Sequence, residues 1–398
     1  MNAKRPATIH ERERIVRTLR GERVRPLPWA TRLDIWYTSR TRTGTLPAEY
    51  AGMELMDIYR SLGLGRQRYA VLVTLRLRGV DMRVEFNGQL IHREWEPRVD
   101  FPNPLGLAVA DRPGDSVITF ETPAGSARVV YRTSEDLIRG AAVPYMMQHI
   151  LKDSDDWAVV KWILNHAEVE RDFEDYYRIE KEIGDEGFTI GMVDRVPLQR
   201  ILLEYMGEEH AFYQMADEPA AFHYLHDALA EMGRQGIKLA LETPSLIIEL
   251  PDNFDGMITS PKLFRQYCIP YIQEAADTVH AHGRLLASHV DGEMKPLLHL
   301  IPESGLDIAE SFSPAPLCRC TFEEAWNAWR GKVLMWGAIP SPIFETHVPE
   351  AEFEAWVHNM LALIGDDGRI ILGIGDQAVG PTLIHRVKRV SELLGRLA

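Results

Sequence analysis

His289 stands at the end of a short apolar run, residues 285–288, and is followed by Val290, Asp291 and Gly292. In an extended chain, residues two apart face the same way. This histidine and this aspartate can therefore converge on one metal ion or one polar substrate. A His-x-Asp-Gly segment between a strand and a helix is where alternating β/α proteins place their chemistry. The competing reading is structural: Asp291 caps the next helix and His289 is a polar strand end. Further polar residues follow other apolar runs: Asp194, Asp252 and Asn253, Glu310, and Asp376. His289, Asp291 and Asp376 make a mixed nitrogen and oxygen set suited to a divalent metal, zinc first. Zinc takes such ligands at about 2.0–2.2 Å, and a catalytic site leaves one position open. Asp252, Glu310 and Asp194 are candidates for acid catalysis or for positioning a substrate. Asp252 and Asn253 read equally well as turn-forming residues, and Asp194 as a salt-bridge or cap residue. Cys318 and Cys320 form a lone C-x-C pair ahead of Thr321, an N-cap for the helix at 322–329, and read as structural.

Such side chains need strand ends to hold them. Residues 9–19 read as an amphipathic helix and 27–37 as a first strand. In that strand Arg32, Asp34 and Trp36 recur at period two and, with Asn253, are candidate substrate contacts. Trp36 also reads as core. Residues 54–62 read as helix and 69–77 as strand. From 80 to 132 the pattern changes to alternating runs broken by Asn87-Gly88, Pro113-Gly114 and Pro123-Ala124-Gly125. This is an antiparallel hairpin insertion, expected to cover the mouth or a docking face. Beyond it, helices are expected at 156–183, 198–205, 218–235, 261–282, 293–301 and 381–397. Strands are expected at 188–194, 237–241, 246–250, 285–289, 306–309, 333–336 and 370–372. Strands alternating with helices imply a parallel sheet. No GxGxxG or GxxxxGK[ST] fingerprint follows any strand. The expected fold is one α/β domain over residues 1–398, a (β/α)8 TIM barrel with the 80–132 insertion within it.

Composition narrows the function. The 58 acidic residues against 44 basic give a net charge of −14, which disfavours nucleic acid and anionic membranes as partners. Three cysteines make no disulfide framework. Residues 1–25 are charged and lack the apolar stretch of a secretory signal. No run approaches the roughly 18 apolar residues of a membrane span. A cytoplasmic location is expected.

Three stretches resemble the uroporphyrinogen decarboxylase superfamily. The fullest runs Ser260-Pro261-Lys262-Leu263-Phe264, Pro270-Tyr271, His289-Val290-Asp291-Gly292 and Gly305-Leu306-Asp307. It is similar to that superfamily's order SP-x-x-F, P-Y, H-x-x-G, G-x-D. The others are Thr122-Pro123-Ala124-Gly125 and the final strand Ile371-Leu372-Gly373-Ile374-Gly375. The resemblance implies a (β/α)8 barrel and one of two activities. One is decarboxylation of a tetrapyrrole acid. The other is zinc-dependent methyl transfer linked to a corrinoid. The methyltransferases carry H-x-C-G and a second cysteine after the last strand. Here Asp291 holds the first cysteine position and Gly375-Asp376 the second, so the implied site is harder. The decarboxylase carries an arginine-rich segment near its first strand, matched only loosely by Arg32, Arg40 and Arg42.

The expected function is metal-dependent demethylation of a small O- or N-methyl substrate. The methyl group would pass toward a corrinoid protein or tetrahydrofolate, and a homodimer is compatible. Tetrapyrrole decarboxylation is the alternative, and a non-catalytic ligand-binding barrel is the third reading.

Overall fold

Eight short segments bury both their faces, and this decides the architecture. In a computed structural model, which describes residues 10–397, they form one parallel sheet. The strands are β1 (Ala30–Thr31), β2 (Gly65–Val71), β3 (Gly187–Met192), β4 (Ile247–Leu250), β5 (Leu285–His289), β6 (Ile308–Phe312), β7 (Leu334–Ile339) and β8 (Ile370–Ile374). They lie side by side in chain order, each parallel to the next. A parallel bridge between Trp29 and Leu372 joins the last strand to the first, and the Leu372 N–H donates to Pro28 O at 2.9 Å. The fold is a (β/α)8 barrel. Alternation along each strand sends one set of side chains outward to the helices and one set inward. On β4, Ile248 and Leu250 join the outer core, while Ile247 packs inside; Glu249 shares its inward parity.

The barrel interior is layered. Ala30, Phe188, Ile190, Ile247, Ala287, Ile308, Trp336 and Ile371 fill its lower part. The helix Glu11–Leu19 closes the base from below, with Ile15 fully buried against that layer. Its Glu11 is pinned from both termini of the chain. It accepts the Trp29 N–H at 2.8 Å and pairs with the Arg396 guanidinium. Above the apolar layer the inward positions turn polar.

Several sequence expectations shift. The strand expected at 27–37 ends at Thr31, and a helix, Asp34–Arg42, follows. The Leu33 N–H is taken by the Tyr59 hydroxyl, and the Trp36 N–H by Ala378 O. The run 69–77 divides at Leu72 between β2 and a separate strand, Val73–Leu77. The antiparallel part extends past 132. Five strands pair from Asp81–Phe86 through Tyr145–Gln148, and Val73–Leu77 pairs with Ala167–Arg171 and Arg98–Val99. The strand Ala167–Arg171 breaks the helix expected at 156–183 in two. Residues 237–241 are not a strand. The helix Pro219–Ala240 runs through them, with Leu225, Leu229, Met232, Gly236 and Ala240 buried at helical spacing. Only one 3-10 turn, Lys295–Leu297, forms within 293–301. The helix at Phe322–Trp329 starts at Thr321, whose hydroxyl and Glu324 complete a capping box. The first helix is seen from Glu11; Ile9 lies outside the described residues.

Candidate metal centre

His289 ends β5 and lies in register beside Glu310 on β6. Both point inward, just above the apolar layer. Nδ1 of His289 meets Oε2 of Glu310 at 2.6 Å, and Nε2 faces Oδ2 of Asp291 at 3.4 Å. The other Glu310 oxygen accepts from the Tyr69 hydroxyl at 2.7 Å and from Gln67 Nε2 at 2.6 Å, both on β2. Glu310 is thus held from two sides and fixes the imidazole ring. Burial opposes charge on His289, but Glu310 and Asp291 outweigh it and hold the ring protonated well above its ordinary range. Burial likewise opposes charge on Glu310, and His289 beside it keeps that carboxylate ionised. Glu249, from β4, is different. Burial and the nearby Glu310 push its carboxyl far up, so it stays neutral.

Donor atoms of His289, Asp291 and Asp376 all lie within 4.8 Å of one another. The three residues are half-buried and open toward the mouth. Asp376 follows β8 in the left-handed backbone region, φ 60°, as do Ser311 at the end of β6 and Ala338 near the end of β7, φ 62° and 74°. Three strained non-glycine residues near adjacent strand ends are a cost that functional sites retain. Arg32 reaches over the Tyr69 ring, 4.6 Å from its centroid. It donates to Asp376 O at 2.8 Å and Oδ1 at 2.9 Å. Asn253 Nδ2 donates to Asp291 Oδ1 at 2.9 Å and its own oxygen accepts from Arg195 at 2.9 Å.

The other sequence candidates fall elsewhere. Asp252 is fully buried, accepting the Val196 N–H at 2.8 Å and the Ser288 hydroxyl at 3.1 Å. Its carboxyl organises the turns after β3 and β4. Asp194 pairs with the buried Arg200 at 3.2 Å. Asp34 opens its helix and is held by Arg66 at 2.5 Å, with Arg68 at 3.7 Å. Trp36 is core: it has no exposed surface and meets Tyr50 edge-on. Cys318 donates to Ser313 O, and Cys320 is buried with its thiol pushed up to about 12 by burial. Neither enters a donor group among the described residues. Sequence reasoning missed Glu249, Gln67 and Tyr69. Glu249 left one trace in the sequence, a lone acid within the apolar run 246–250.

The donor set fits a divalent metal. Nε2 of His289 faces Asp291 while Nδ1 is anchored by Glu310, the arrangement that orients a metal-binding imidazole. Asn253 and Arg32 hold the two aspartates in turn. With carboxylate and imidazole donors and no thiolate, the set is harder than a cysteine site.

The uroporphyrinogen decarboxylase (URO-D) family model matches residues 141–396. Among solved structures, the chain is similar to a methyltransferase from Methanosarcina mazei, with a TM-score of 0.56 at 14% identity. The match covers 97% of this chain and 98% of that one. At that identity the likeness is one of fold. No curated protein matches the sequence. No helix among the described residues is long and apolar enough to cross a membrane.

Proposed function

Since the chain belongs to the uroporphyrinogen decarboxylase family, we propose that it is a metal-dependent methyltransferase of that family. It demethylates a small O- or N-methyl substrate and passes the methyl group toward a corrinoid protein or tetrahydrofolate. The observation that carries this reading is the donor set of His289, Asp291 and Asp376 at the mouth. These residues would hold the metal, zinc first. When bound, it supplies a Lewis acid that polarises the heteroatom bearing the methyl group.

The chain's own residues do the rest. Glu310, braced by Gln67 and Tyr69, keeps the His289 ring in one orientation. Asn253 and Arg32 fix Asp291 and Asp376, so the donors need little rearrangement on binding. Arg32, stacked over Tyr69 and paired with Asp376, closes that side of the donor set.

Tetrapyrrole decarboxylation is the weaker reading. Gripping a tetra-acid needs unengaged cations, and the arginines of the first β/α unit are engaged. Arg32 is held by Asp376, Arg42 donates to Ile138 O, and Arg40 donates to Thr45.

The test supplies zinc-loaded protein with methoxyarenes and N-methylamines carrying a CD3 label, and cob(I)alamin as acceptor. Labelled methylcobalamin is expected, and its loss in His289→Ala. Coproporphyrinogen from uroporphyrinogen, without methyl transfer, would establish the decarboxylase reading instead.

A further inference from the structure

Beneath the mouth lies a second group of donors. Glu249 is fully buried, and neither of its carboxylate oxygens has a hydrogen-bond partner. An unsatisfied buried polar atom destabilises the fold, and this side chain carries two. The Gln67, Tyr69 and Glu310 groups around it are all engaged with one another. Glu249 Oε1 lies 4.0 Å from Nδ1 of His289, on the side of the ring that faces Glu310. Donor atoms of Glu249, His289 and Glu310 fall within 4.8 Å of one another.

We infer that Glu249, Glu310 and Nδ1 of His289 form a second, inner divalent-cation site, one layer below the mouth. The site satisfies both orphaned oxygens of Glu249. Gln67 and Tyr69 already hold one Glu310 oxygen, which leaves Oε2 facing the cation. Two carboxylates and an imidazole suit borderline ions such as zinc, cobalt(II), iron(II) or manganese(II). The inner set uses Nδ1 and the outer set Nε2, so the two share no donor atom. With both filled, His289 is an imidazolate bridge, and the two ring protons of its imidazolium, with that of Glu249, go to solvent. Glu249, Glu310, Asp291, Asp376 and the imidazolate are then balanced in charge by two divalent ions and the Arg32 guanidinium.

The inference shares His289 with the outer site proposed above, and its test separates the two. Zinc and cobalt(II) are counted on the full chain by equilibrium dialysis, with thermal melting of each metal-free variant as the fold control. Wild type is expected to bind two equivalents. Glu249→Gln should keep one and lose the other by at least a hundredfold in affinity. The pair Asp291→Asn and Asp376→Asn should also keep one, and the three substitutions together none. If Glu249→Gln does not fold, Glu249→Met removes the charge and fills the space. The inner site is overturned if the Glu249→Gln or Glu249→Met variant binds as many ions as wild type. It is also overturned if the aspartate pair alone removes all binding. A single wild-type ion that survives the aspartate pair but not Glu249→Gln would keep the inner site and remove the outer one.

Discussion

Asp252 links pH to stability through a single carboxyl. Burial raises it from 3.8 to about 6 in the fold. Between those values the unfolded chain has released a proton that the folded chain keeps. Stability therefore falls as pH rises, and the loss is complete above about 6. About two pKa units at about 1.4 kcal/mol each puts the loss at roughly 3 kcal/mol. Asp252→Asn keeps an acceptor for the Val196 N–H and can donate to Ser288. The variant should melt higher than wild type above pH 6 and lose that advantage by pH 4. A melting difference independent of pH would show that Asp252 does not titrate in this range. At the mouth, His289→Ala should abolish metal binding at the outer site without lowering the metal-free melting temperature by more than a few degrees, because the ring is held by polar partners and not by packing. Asp291→Cys should raise zinc affinity, since thiolate is the softer ligand. An unchanged or weaker zinc affinity, measured by chelator competition, would remove Asp291 from the ligand set.

At the scale of elements, one helix end is strained in a correctable way. Ala141 follows the helix Glu135–Gly140 in the left-handed region, φ 55°, closing it with its own N–H on Ile138 O and the Ala142 N–H on Leu137 O. Glycine adopts that backbone freely. Ala141→Gly should stabilise the protein by about 1 kcal/mol in denaturant titration; a destabilised variant would contradict the cap. Elements also show what the sequence could carry. β5 matches its expected bounds because an unbroken apolar run has no other use. Asp291 and Asp376 could be placed beside His289 because barrel strand ends converge by construction. Residues 237–241 look like a strand in isolation, but only the preceding helical register reveals that they continue a helix. Residues 33–37 alternate like a strand, but the Tyr59 hydroxyl and Ala378 carbonyl, distant in sequence, take their N–H groups. Glu249 was hidden for another reason. Whether an acid in an apolar run faces a barrel interior depends on parity, and parity is visible only once a neighbour is fixed.

At the scale of the whole molecule, the antiparallel part and the barrel are packed together rather than merely connected. Arg200, buried in the helix Pro197–Arg200 that follows β3, donates to Phe101 O at 2.6 Å, and Phe101 meets both Phe120 and Tyr205 edge-on. Excising residues 88–128 would remove Phe101 and Phe120 and bare Arg200 and Tyr205, so loss of soluble protein is expected and not a folded, lidless barrel. The base is equally integral. Removing residues 1–21 takes away Ile15 and the Glu11 carboxylate that joins Trp29 to Arg396. At roughly 2 cal/mol/K of unfolding entropy per residue, a chain of 398 residues loses about 1 °C per kcal/mol, so the melting temperature should fall by several degrees. An unchanged melting temperature would mean that the helix is an ornament of the base.

The closed base also bears on traffic. An apolar layer and a helix seal the barrel beneath His289, so whatever reaches the ring arrives through the mouth and departs the same way. In a methyl transfer, giver and receiver would have to use one doorway in turn. A small giver would enter first and a bulky receiver would close the exit behind it. Receiver in excess should then slow turnover by shutting out the giver, and steady-state rates would show substrate inhibition by the larger partner.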